Sequence, residues 1–198
     1  MANAFRPQGL SPYKHLHGAP FNNQAQLYYI APSDTNAYAI GDPVVSSGSG
    51  DSNGVPGITL AAATGAIRGV IVGLGTSEGL IANPNNLNQT IRPAGANASA
   101  YYAMVVDDPG VIFAVSEPGS GGTPLTAAAI GFNINLVVGT NNGYISGWTI
   151  SNTGAATTAT LQVKLLGLVR ETTNAFGFGA QWLVLINNHE LNAGTAGV

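Results

Sequence analysis

Tyr101-Tyr102-Ala103-Met104-Val105-Val106-Asp107-Asp108-Pro109-Gly110-Val111-Ile112-Phe113-Ala114-Val115-Ser116 is the stretch from which the fold is read. Two runs of aromatic and β-branched residues flank a block of Asp, Pro and Gly. Runs this short suit strands better than helices, and their side chains fill a pleated surface well. The intervening four residues carry turn chemistry. The stretch therefore predicts a hairpin of two antiparallel strands.

The same rhythm extends in both directions. Upstream, residues 26–31, 38–40, 44–46, 58–62 and 67–74 read as strands, with breaks at Pro32-Ser33-Asp34 and Gly41-Asp42-Pro43. Downstream, residues 132–138, 144–150, 157–169 and 180–187 complete the set. The last two are rich in Leu, Val, Thr and Trp, which predicts central pairing, and Gly167 marks a bulge or bend. Residues 47–57 read as a mobile Ser/Gly loop, and 75–97 as a polar excursion with one short strand at 87–91. One helix is expected, at 123–130, with Thr123 as N-cap and Pro124 at the first helical position. The pattern is all-β, a sandwich or barrel with at most one short helix.

Residues 1–24 read as an extended amino-terminal arm. Pro7, Pro12 and Pro20 punctuate it, and no apolar period runs through it. Tyr13, Leu16 and Phe21 are nevertheless too apolar for a free tail, so the parent domain or a neighbouring subunit should cover them. The remainder divides into one β domain, 25–190, and a flexible tail, 191–198. Removal of residues 1–24 is expected to spare the fold.

Composition narrows the function. Only 8% of the chain is charged, against 45% apolar, and glycine supplies 27 of 198 residues. Soluble domains average roughly 25% charged residues. Charge keeps a monomer solvated and apart from its neighbours, whereas a surface of amides and hydroxyls packs against protein with little ion desolvation. A subunit of an assembly is the expectation. The net charge of −3 and the six scattered bases argue against nucleic acid. No run approaches the roughly 20 apolar residues that span a bilayer, so no membrane partner is expected. The absence of cysteine favours assembly in a reducing cytoplasm. Met1-Ala2-Asn3-Ala4-Phe5-Arg6 does not read as a signal peptide, since no apolar core follows it.

Catalytic patterns are poor. The chain has no nucleophile elbow, phosphate loop or His-Glu-x-x-His, and Gly73-Leu74-Gly75 lacks the third glycine of a dinucleotide turn. His15, His17 and His189-Glu190 could ligate zinc only if the two ends of the chain met, and the arm lacks carboxylates. Asp107-Asp108 reads as turn chemistry, and Asp51-Ser52-Asn53-Gly54 lacks the glutamate of a calcium loop. Asn88-Gln89-Thr90 and Asn97-Ala98-Ser99 match glycosylation acceptors, which carry meaning only on secretion. Trp148 and Trp182 read as core. No enzyme, metal or cofactor is expected.

With its segments laid out, the chain resembles the capsid cement (decoration) proteins of short-tailed, podovirus-like bacteriophages. The resemblance lies in Gly18-Ala19-Pro20-Phe21-Asn22, Leu27-Tyr28-Tyr29-Ile30, Gly41-Asp42-Pro43-Val44, Gly69-Val70-Ile71-Val72-Gly73 and Val106–Phe113. It continues through Ala159–Val169 and Trp182–His189. It implies a jelly-roll-like subunit on the outer capsid surface of a virion assembled in the host cytoplasm. Its implied partners are the major capsid protein and further copies of itself, as dimer or trimer. On that reading Arg6, Tyr13, Leu16 and Phe21 of the arm reach the shell or a sister subunit. The rival expectations are a carbohydrate-binding β-sandwich module and another virion component, such as a connector or tail protein.

Overall fold

The computed structural model describes residues 3–76, 90–192 and 194–197. Its strands, in chain order, are β1 Ser11–His15, β2 Gln26–Ile30, β3 Tyr38–Ala39, β4 Pro43–Gly50, β5 Pro56–Leu60, β6 Gly69–Gly75 and β7 Ile91–Arg92. They continue with β8 Tyr101–Val106, β9 Val111–Ser116, β10 Asn133–Ile134, β11 Leu136–Val137, β12 Thr149–Ile150, β13 Val163–Leu168 and β14 Gln181–Ile186. The protein is all-β, with several sheets packed together.

The strands of the opening stretch form where expected, but they do not make a hairpin. β8 joins a closed barrel of order β2-β5-β4-β6-β8, whereas β9 joins a five-stranded sheet of order β1-β9-β14-β13-β10. Asp107–Gly110 is thus a crossover between two sheets. Each strand pairs with partners distant in the chain: β8 with β2 and β6, and β9 with β1 and β14. All six β9 residues are buried, as befits an interior strand of the larger sheet, between β1 and β14.

Two apolar cores follow from the two sheets. The larger contains Trp148, Trp182, Phe113 and Ile134, and the barrel interior contains Tyr28, Ile30, Tyr38, Ile58 and Ile71. Leu60 packs against both. β14 alternates buried and half-buried residues along its length, the period of a strand with one core face. Its pairing with β13 shifts register between Leu165 and Gly167, so the bulge expected at Gly167 is present. Gly167 has φ +149°, a conformation that side chains rarely adopt.

Several other expectations require correction. Residues 11–15 are not an arm apart from the β domain: they form β1, the edge strand beside β9, and Leu10 is fully buried in the larger core. Gly9 and Gly41 meet so closely that a Cβ on Gly9 would lie 2.2 Å from the Gly41 carbonyl oxygen. The Leu10 amide donates to that same carbonyl at 2.9 Å. A local reading missed this docking because every contact is with a distant residue. Residues 47–50 extend β4 rather than forming a loop, and only 51–55 turn, with Asp51 Oδ1 accepting from the amides of Asn53 and Val55.

The expected helix at 123–130 shrinks to one 3-10 turn, Ala127–Ala129. Thr126 precedes it without a side-chain cap, so Thr123 and Pro124 do not begin a helix. The long strands at 132–138, 144–150 and 157–169 are likewise cut to β10, β11, β12 and β13. The tail is tied down: Thr195 N donates to Asn187 Oδ1, Gly197 N to the Thr157 carbonyl, and Lys164 Nζ to Thr195 Oγ1. Of the strand expected at 87–91, residues 87–89 lie outside the described residues, and Ile91 opens β7.

Candidate interaction surface

The structure separates the four residues assigned to the arm. Arg6 and Tyr13 line one groove, whereas Leu16 and Phe21 lie at the other end of β1. Leu16 N donates to the Gly110 carbonyl at 2.7 Å, which folds residues 15–19 back onto the crossover. Phe21 packs beside His15, with ring centroids 6.1 Å apart, and against the larger core. Tyr13 and Leu16 are each about half exposed, so the domain does not cover them.

The groove, of about 500 Å³, lies on the outer face of β1, β9 and β14, away from the larger core. Ala114, Val169 and Gln181 are among its floor and wall residues. The amino-terminal segment forms one wall and residues 171–179 the other. Asn3 joins the walls at one end, donating to the Ala175 carbonyl at 2.8 Å and accepting from the Ala175 amide at 3.0 Å. Asn174 pins the second wall to the floor, donating to the Val169 and Gln181 carbonyls and accepting from the Gln181 amide. Tyr13 is the extra residue of a bulge, since the β1–β9 register steps from Pro12 directly to Lys14. Bulges re-aim a side chain out of the regular alternation, and this one gives Tyr13 to the groove.

The sequence reading missed the aromatic cluster beside that groove. Phe5, Phe176 and Phe178 are each between about a third and a half exposed. The Phe5 ring lies against Gly119, where an added Cβ would come within 2.7 Å of it. Phe176 stacks tilted on Trp182 at 5.6 Å. The signal was available in Ala175-Phe176-Gly177-Phe178-Gly179: two phenylalanines between glycines, outside any strand, cannot both reach a core.

The remaining polar candidates serve the fold. Asp107 accepts from the Tyr28 hydroxyl at 2.7 Å and lies 3.4 Å from the Arg68 guanidinium. Burial, and then the Asp107 carboxylate, push the Tyr28 phenol up to about 12. Asp108 accepts from the Gly110 amide within its own turn and lies 3.4 Å from His15 Nδ1. His189 is buried, its Nδ1 accepts from the Leu191 amide, and burial depresses its pKa. Buried Arg92 donates to the carbonyls of Ala31, Asp34 and Asn36 and clamps that loop. Glu117, also buried, accepts from the Leu125 amide and from Trp182 Nε1. Among the described residues no group of three or more His, Cys, Asp or Glu side chains is placed to hold a metal ion.

No family model, curated protein or solved structure matches this chain.

Proposed function

We propose that the protein is a structural virion component, a cement or decoration protein that binds the outer surface of a major capsid protein shell and stabilises it. The observation that carries this reading is the placement of exposed apolar side chains. Phe5, Phe176 and Phe178 lie past the end of β9, and Leu16 lies before its start, beside the half-buried Phe21. Six strand residues separate the two clusters by about 20 Å. Two apolar contacts at opposite ends of a rigid ladder suit a protein that bridges neighbours. The sparse charge of the whole chain lowers the desolvation penalty of covering such a surface. Modest contacts repeated around a shell then hold by multivalency.

The test is co-sedimentation of the purified protein with capsid shells that lack small outer proteins. Saturable pelleting is expected, together with a loss of about tenfold or more in affinity for Phe176→Ser combined with Leu16→Ser. Circular dichroism should remain unchanged, because both side chains are half exposed. A protein that stays in the supernatant, and stays monomeric at millimolar concentration, overturns the reading. A gel of purified virions separates cement from a connector or tail part: cement approaches the abundance of the major capsid protein.

A further inference from the structure

We propose that the groove between the amino-terminal segment and residues 171–179 is a saccharide-binding site. The inference is independent of shell binding and rests on which polar groups the fold leaves unused.

Acids in this chain are few, and the fold uses nearly all of them. Asp34, Asp42, Asp51, Asp107, Asp108, Glu117 and Glu190 each accept a hydrogen bond from a named amide or hydroxyl. Glu171 is the exception among the described residues: it is exposed, and its carboxylate has neither a donor nor a base beside it. It lines the groove. Arg6 lines it too, likewise exposed and in no ion pair. The side chains of Gln8, Thr173 and Tyr13, also on the groove, make no hydrogen bond among the described residues. At the wall, Gln181 Oε1 is a buried acceptor without a partner. Unused donors and acceptors from the floor and both walls converge here.

The ligand class follows from the lining. A cavity of this size is in the range of small-molecule sites, about 300–1,000 Å³. The ring of Tyr13, placed by its bulge and half exposed, offers an apolar face with a polar tip, suited to the C–H face of a pyranose. Amides, a hydroxyl, a carboxylate and a guanidinium donate to or accept from ring hydroxyls, and the two charged groups do so most strongly. One acid and one base leave the groove neutral. That disfavours phosphate, which Glu171 would repel, and favours an uncharged polyol. An added peptide strand does not fit: Pro12 has no N–H to offer, and Lys14 already pairs with Pro20. The walls are fixed by Asn3 and Asn174, so little ordering opposes binding.

The test uses the intact protein on a printed array of defined mono- to tetrasaccharides, with calorimetric titration of the saccharides retained. Binding to at least one neutral saccharide is expected, weakened about tenfold or more by Tyr13→Ala and by Glu171→Gln. Tyr144→Ala removes the most exposed aromatic outside the groove and should leave affinity unchanged. The proposal is overturned if no saccharide is retained, or if both groove variants bind as the parent does. It is also overturned if Tyr13→Ala abolishes shell binding while no saccharide binds, which would assign the groove to the shell.

Discussion

Asp42 is 4% exposed, accepts from the Ala39 amide at 2.8 Å, and lies beside the Ser146 hydroxyl. Burial outweighs those hydrogen bonds and raises its pKa from 3.8 to about 6. Between those two values the folded protein holds a proton that the unfolded chain has released. Its contribution to stability is therefore full below about pH 4 and is lost as pH rises through about 6. The difference amounts to roughly 3 kcal/mol. Asp42→Asn keeps an acceptor for Ala39 and places an amide donor near Ser146 Oγ. Urea midpoints measured across this window should fall in the parent and stay flatter in the variant, which should be the more stable at neutral pH. Parallel profiles would contradict the assignment. Gly41-Asp42-Pro43 was legible as a chain break, but the carboxylate's burial was not, and its partner Ser146 lies over a hundred residues away.

At the scale of elements, β1 decides what truncation does. Leu10 is fully buried, and Ser11–His15 completes one edge of the larger sheet. A chain beginning at residue 16 exposes the β9 edge and empties a leucine site, a loss of roughly 3–5 kcal/mol for the leucine alone. It should lose cooperative unfolding and near-ultraviolet dichroism. A chain beginning at residue 8 removes Arg6 and the Asn3 tie but should keep both signals. Native-like unfolding of the shorter chain would show that β1 is dispensable. The bulge at Gly167 was legible because glycine in a strand signals an irregularity by itself. The docking of β1 was not, since Gly9, Leu10 and Pro12 show no strand period and their partners are Gly41 and β9.

The whole molecule has two cores joined by two covalent crossovers, residues 16–25 and Asp107–Gly110, and Leu60 packs against both. Both tryptophans lie in the larger core, whereas Tyr28 and Tyr38 lie in the barrel. β8 and β9 are linked by only four residues, so neither sheet can open without disturbing the other. Urea transitions followed by tryptophan fluorescence and by tyrosine dichroism should therefore coincide. Separate midpoints would show that the barrel melts alone. Leu60→Ala weakens the shared packing and is the variant in which the two should first diverge.

Strand chemistry and turn chemistry are local, and the sequence alone determined them: the period of two, the Asp, Pro and Gly breaks, the glycine bulge and the scarcity of charge. Which strands pair was decided only by the tertiary structure. Asp107–Gly110 would suit a hairpin as well as a crossover, and the choice fell to partners distant in the chain. The same holds for the groove. That Glu171 and Arg6 are unused is a statement about every donor and acceptor around them, and hydrogen-bond satisfaction is a property of the folded whole.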